Sequence, residues 1–444
     1  MAAPLHPRLN APIFDVLRNR NFRLLWPVGM LTAMGELSEI LVMGWLILRL
    51  DGTVWQVAMV GVSRTATMFT MSLVAGALGD RFNRARIIQV VQVAQIGLDM
   101  AVLTVLLAGD IQPWHLYAVA ALRGGARSFD HTSRRSLMFD VVGPRYLVQA
   151  ASFDTMTYST GKIIGPVLIG LLLQFTDTAV SAYIALGVMH GLALVASGFV
   201  RVGTIERPLP NRPVLGSINE GLKFAVKSQP IAAVLITSIF MNVVFQYTVF
   251  IPVMAQDYLH VGPGLMGLMG AADGMGTVIG AIFIGALAGK ISRHGRIFLL
   301  GSAGVSVFLL LFSLSPWYAL SFFLLLLLGM CQVGFATMQS GILMMASPAG
   351  YHSRVFGVQQ LAIGMGHFGV LEVGALSTAF SLPLALGANS VAALVLLALM
   401  AVVLPALRHP IQRMDDPSAG EQPSQEATSK EAGQDPRLRP KELG

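Results

Sequence analysis

Charge is scarce in this chain and cysteine nearly absent. Asp, Glu, Lys and Arg make up 12% of 444 residues, and Cys331 is the single cysteine. One cysteine excludes an intramolecular disulfide and a thiolate metal cluster. The nine His form no H-E-x-x-H pair, and no G-x-x-x-x-G-K-S/T phosphate loop occurs, which removes two common catalytic routes and ATP-driven transport by this chain itself. No polar stretch is large enough for a catalytic domain, so no enzyme, metal or cofactor is expected. Residues 1 to 21 lack the apolar core of a cleavable signal peptide.

What is abundant is apolar sequence. Hydrophobic residues make up 54% of the chain and its mean hydropathy is +0.67, far above what a water-soluble core tolerates. A helix needs about 20 residues to cross a bilayer. Twelve such runs are predicted, at 22 to 49, 54 to 78, 85 to 108, 112 to 136, 146 to 174, 178 to 200, 230 to 254, 264 to 288, 296 to 314, 317 to 342, 353 to 377 and 384 to 406. The expected class is an all-α membrane protein.

The basic residues orient it. Of 30 Lys and Arg, nineteen fall in the amino terminus and even-numbered internal loops and six in the C-terminal tail, whereas only Arg49 lies near an odd-numbered loop. By the positive-inside rule both termini are cytoplasmic, with Trp55, Trp114, Tyr117, Trp317 and Tyr318 belting the opposite face. The same asymmetry accounts for the net charge of +7 without nucleic acid.

Five segments follow. Residues 1–21 form a cytoplasmic N-terminus in which "FDVLRNRNFRLL" reads as an amphipathic surface helix. Residues 22–200 and 230–406 form two bundles of six helices. Residues 201–229 link them, with "GSINEGLKFAVKS" as a second amphipathic helix. Residues 407–444 are predicted to be a disordered cytoplasmic tail.

Two loops repeat. "GALGDRFNRAR" from Gly76 has an echo, "GALAGKISRHGR" from Gly285, and duplication of a six-helix half is the trace expected of a transporter that rocks one bundle against the other. The first loop resembles the signature of the major facilitator superfamily, G-x-L-x-D-R-x-G-R-R/K, through Gly76, Leu78, Asp80, Arg81 and Arg84. Asn83 departs from a glycine and Ala85 from a basic residue. The resemblance implies twelve helices in two pseudo-symmetric bundles and a cytoplasmic gate, in which Asp80 pairs with Arg134 or Arg135 or faces the N-terminal end of span eleven near Ser353. In the echo Gly289 replaces the acid, leaving Lys290, Arg293 and Arg296 and a weaker latch.

"GKIIGPVLIG" in span five resembles the antiporter motif of the same superfamily, with Gly161, Gly165, Pro166 and Gly170 in place and Ile169 for a glycine. That resemblance favours export; plain close packing of helices is the alternative. "NRNFRLLWPVGM", "RSFDHTSRR", "NEGLKFAVKSQP" and "SRVFG" are similar to the branch holding enterobactin exporters and macrolide-efflux permeases, across 12 to 406.

Ionisable residues inside a bilayer are costly and mark function by default. The first half holds Glu36, Glu39, Arg64, Asp99, Arg123, Arg127, Asp130, Asp154, Lys162 and His190; the second holds mainly Asp273, His367 and Glu372. Helix rise places Glu36, Arg64 and Asp99 at similar depth, roughly 20 to 24 Å from the nearest cytoplasmic charge. Glu36 and Glu39 share a helix face, so mutual repulsion opposed by Arg64 makes a proton-binding device. A fixed Glu36–Arg64 pair is the other reading. Arg123 resembles the span-four arginine of proton antiporters, while Asp130 and Arg134, one turn apart, read as a local salt bridge.

For cargo, Asn242, Gln246 and Tyr247 of span seven offer hydrogen bonds among phenylalanines, with Asp273 and Glu372 as further cavity residues. The expectation is a monomeric secondary transporter of the cytoplasmic membrane that exchanges an amphiphilic drug or siderophore-like molecule for protons, its partners being cargo, protons and lipid. A metabolite facilitator or importer, or a membrane scaffold or sensor, are the competing functions.

Overall fold

Asn19 starts the first long helix. Its side-chain carbonyl accepts from the N–H of Asn21 at 3.0 Å and Phe22 at 3.2 Å, satisfying two orphan donors at the start of α1 (Arg20–Arg49). This corrects the single surface helix expected over "FDVLRNRNFRLL". Only Ile13–Arg18 stands apart, as a 3-10 turn, and Phe22 is buried edge-on against Phe153 at 5.7 Å. Burial of that ring draws the segment into the bundle.

The computed structural model describes residues 13–79, 82–143, 146–200, 214–287, 293–348 and 351–403. Among them every regular element is helical. After α1 come α2 (Val54–Gly79), α3 (Arg84–Ala108), α4 (Pro113–Val142), α5 (Leu147–Thr176) and α6 (Ala179–Gly198). The expected linker helix is α7 (Val214–Lys227). The remaining elements are α8 (Gln229–Val244), α9 (Pro263–Leu287), α10 (His294–Ser313), α11 (Tyr318–Met345), α12 (His352–Gly364), α13 (Gly366–Ala379) and α14 (Leu382–Val403).

Two of the predicted spans are not uniform helices. After α8 the chain passes through a 3-10 turn, Phe245–Phe250, and a π turn, Met254–Tyr258, so that this span runs to Tyr258. Pro252 contributes to the irregularity, because it can donate no backbone hydrogen bond. Span eleven is divided at Met365 into α12 and α13.

Ten helical segments among the described residues are long and apolar enough to cross a membrane. The chain is therefore a multi-pass membrane protein. α2 and α4 are as long, at 26 and 30 residues, and α4 carries much of the buried charge.

Packing within each half brings together many helices that are not neighbours in sequence. α1 lies against α5 and α6, α2 against α4, and α3 against α4 and α6; α11 lies against α9 and α10, and α10 against α14. The two sets meet along α5 with α9 and α2 with α13. Gly170 and Gly267 make the first seam. A Cβ on Gly170 would stand 2.7 Å from the Gly267 Cα, and one on Gly267 would stand 2.3 Å from the Pro166 carbonyl oxygen. Only glycine permits that approach.

Candidate transport site: a buried charge network

α1 faces inward with Glu36 and Glu39, one turn apart. Glu36 is ion-paired to Arg64 of α2 and Arg127 of α4, all three partly buried. Glu39, 3% exposed, has a different partner: its Oε1 lies 2.7 Å from Arg123 Nε of α4. The same arginine donates through Nη2 to Asp99 of α3, which is fully buried, and Asp99 Oδ2 meets His190 Nδ1 of α6 at 2.8 Å. Four helices thus converge on one acid-base cluster.

Gly124 brings α4 to this position. A Cβ there would meet the Arg64 carbonyl oxygen at 2.0 Å, so α2 and α4 lie with backbones nearly touching between the two arginines Arg123 and Arg127. Thr67 reinforces the contact by donating to the Ala121 carbonyl at 2.7 Å.

One step along α4 lies a second cluster. Arg134 donates to Asp154 of α5 at 2.8 Å and to Asp130 of its own helix at 3.4 Å. Gln92 of α3 connects it inward, donating to Asp130 at 3.4 Å and to Thr32 of α1 at 3.1 Å. A polar cavity reaches both clusters, its wall including Glu36, Glu39, Arg64, Arg123, Asp130 and His190.

A third cluster spans the seam. Lys162 Nζ of α5 stands 2.6 Å from Asp273 Oδ2 of α9, and Tyr247 donates its hydroxyl to the same oxygen at 2.8 Å. Asp273 is 2% exposed, and its Oδ1 has no hydrogen-bond partner among the described residues.

A family model described as transmembrane secretion effector matches residues 11–433. The chain belongs to that family. Its relatives and structural neighbours are transporters of the major facilitator superfamily type. The enterobactin exporter EntS of Escherichia coli strain K12 is 24% identical over 363 residues, covering 80% of this chain and 85% of its own. EntS of Escherichia coli O6:K15:H31 strain 536 has the same identity over 311 residues, 68% of this chain and 72% of its own. A bacterial homologue of the human lysosomal transporter Spinster, inward-facing and unoccupied, superposes with a TM-score of 0.65 at 14% identity, covering 88% of this chain and 96% of its own. The nucleoside transporter NupG gives 0.69 at 11% identity, with 86% of this chain and 98% of its own covered. At such identities the structures establish the fold alone.

In this member of the family, the sequence-derived candidates Glu36, Glu39, Arg64, Asp99 and Arg123 come together. Their pairing differs from expectation. Glu36 and Glu39 do not form one mutually repelling unit, because each is met by a different arginine. Arg127 and His190, noted only as intramembrane charges, complete the group. Their signal in the sequence was burial of charge, and nothing there named their partners.

The expected gate is only partly within view. Asp80, Arg81, Gly289 and Lys290 lie outside the described residues, as do the side chains of Gly76, Leu78 and Ser353. Arg134, one of the alternatives for Asp80, makes the local bridge to Asp130 that their one-turn spacing suggested, and it also meets Asp154 on the facing helix α5. Arg135 lies over the Phe139 ring at 5.9 Å, and Arg84 donates to Asp140 at 2.6 Å.

The antiporter-like motif is a packing surface on both sides. Gly161 and Gly165 admit α1 at Ala33 and Met34, and Gly170 admits α9. Among the cavity candidates, Tyr247 and Asp273 meet directly. Asn242 and Gln246 instead donate to carbonyls of their own helix, at Ser238 and Asn242, beside Gly366. Glu372 is exposed on α13.

Proposed function

We propose that this protein is a proton-coupled exporter of an amphiphilic small molecule, working by alternating access between two six-helix bundles, 22–200 and 230–406. In this reading twelve helices cross the cytoplasmic membrane, α2 and α4 included, both termini are cytoplasmic, and the proton gradient replaces any cofactor. The chain acts as a monomer, and the disposition of basic loops supports its orientation.

The observation that carries the reading is the charge balance of the first-half clusters. Glu39 and Asp99 are both ion-paired to Arg123, so this directly paired set of two carboxylates and one guanidinium is one positive charge short. One bound proton neutralises it. Glu36 has the opposite imbalance, one carboxylate against Arg64 and Arg127. A transferable proton therefore belongs on the Glu39–Asp99–His190 side, and the loss or gain of that proton changes how strongly α1, α3, α4 and α6 hold each other. The likeness to enterobactin exporters supports outward transport and a siderophore-like cargo, and macrolides remain in the panel of candidates.

The rival reading is a metabolite facilitator in which the same pairs serve as architecture, favoured by the two arginines that already hold Glu36. A scaffold or sensor has no use for a proton-deficient cluster. The test is transport in liposomes with an imposed pH gradient, using enterobactin, a macrolide and rhodamine 123, for the wild type, Glu39→Gln and Asp99→Asn. Gradient-driven movement that both variants lose, while retaining exchange of cargo down its own gradient, supports proton coupling. Transport by the wild type that ignores the pH gradient makes the protein a facilitator.

A further inference from the structure

We infer that Lys162 anchors an acidic group on the cargo, and that Asp273 occupies this anchor until cargo arrives, an inference that rests on the exporter reading above. Lys162 and Asp273 come from opposite sides of the α5–α9 seam. The glycine contacts described above set those helices close: a Cβ on Gly274, beside Asp273, would already press on the Lys162 side chain at 3.3 Å. Pro166, which lacks the N–H that a regular helix would donate to the Lys162 carbonyl, lies one turn further along the same seam.

Asp273 is well placed to be displaced. Lys162 and Tyr247 both address Oδ2, and Oδ1 is buried without a hydrogen-bond partner among the described residues. The lysine is the more accessible of the pair, its side chain 15% exposed against 3% for the aspartate. It stands one helical turn from Tyr158, which lines the polar cavity. Lys162 is outside the wall of that cavity, and it is the partial exposure of its own side chain that lets an incoming carboxylate or phenolate meet the ammonium before Asp273 is uncovered.

The consequence is a link from binding to movement. Once Lys162 turns to the cargo, Asp273 keeps Tyr247 alone and becomes a buried anion without its cation, which disfavours the closed seam. Parting of α5 from α9 admits water to it. An amphiphilic cation would gain nothing at Lys162 and would not release the seam.

The probes are fluorescein and rhodamine 123, which share an aromatic frame and carry opposite charge, with binding read by fluorescence anisotropy on the full chain in lipid nanodiscs. Because a charge-assisted hydrogen bond and a tenfold affinity ratio are of similar size, wild type is expected to bind fluorescein about tenfold more tightly than rhodamine 123. Lys162→Met should lose about that factor for fluorescein alone, Lys162→Arg should retain most of it, and Asp273→Asn should bind fluorescein several-fold more tightly. If Lys162→Met fails to fold, a Lys162→Met/Asp273→Leu double variant, which removes both charges together, takes its place. Equal affinity for the two dyes, preference for rhodamine 123, or loss of fluorescein in Asp273→Asn overturns the inference. Proton-driven export of rhodamine 123 without anion preference would strike this cargo assignment and leave the exporter reading intact. Selective fluorescein binding by a protein indifferent to the pH gradient would strike the exporter reading and leave the anion site.

Discussion

Arg123 on α4 stands 2.7 Å from Glu39 on α1, and both are almost wholly withdrawn from solvent. The same guanidinium also holds Asp99, so one cation serves two carboxylates. Removing it leaves two buried anions, and breaking a buried pair typically costs about 3 to 5 kcal/mol. Arg123→Met is therefore expected to lower thermal stability in detergent by several degrees and abolish transport, while Arg123→Lys recovers part of the stability. A melting curve unchanged from wild type in Arg123→Met would contradict the pairing.

His190 is expected to matter through its bond to Asp99 rather than through its bulk. His190→Phe leaves Asp99 Oδ2 without that partner and should reduce transport by about tenfold, the order of one hydrogen bond to a charged group. His190→Gln keeps a donor near the same place and should retain more activity. Equal loss in the two variants, measured as initial rates in liposomes, would reduce the ring to packing.

At Gly124 the prediction concerns the frame of the site. With a Cβ only 2.0 Å from the Arg64 carbonyl, Gly124→Ala must push α2 from α4, and overpacking of this kind costs about 1 to 3 kcal/mol. The displaced element carries Arg64 away from Glu36, so transport should fall even where the protein still purifies in folded form. Wild-type rates in Gly124→Ala would show that this seam does not position the charges.

Tyr247→Phe removes the hydroxyl that Asp273 accepts while leaving the ring in its buried site. A loss of about 1.5 to 3 kcal/mol is expected for a hydrogen bond to a charged acceptor, read from thermal unfolding. The variant should depend more heavily on Lys162, so combining it with Lys162→Met should cost more than the two single losses added together. Simple additivity would mean that the two donors do not share one carboxylate.

Helix existence was legible because each run of apolar residues is long enough to span lipid, and that signal is local. The second amphipathic helix was legible too, since the linker around Val214–Lys227 alternates polar and apolar residues at helical period. Helix faces were not. A span that is apolar on every side has no polar stripe to show which way Glu372 or Asn242 points, and the structure leaves the first exposed and turns the second to its own backbone.

What the sequence by itself determined is residence in the membrane and the identity of the residues whose charge had to be compensated there. Beyond the Glu36–Arg64 and Asp130–Arg134 pairs, which group compensates which was decided by tertiary structure. Glu36 and Glu39 are three positions apart, yet Arg64 and Arg127 take one and Arg123 takes the other. Arg134 adds Asp154 on another helix to its local bridge with Asp130, and Lys162 found Asp273 across the seam. In a low-dielectric interior a charge is stabilised only by what stands within a few ångströms of it, and that distance is set by helix packing at Gly124, Gly170 and Gly267 rather than by separation along the chain.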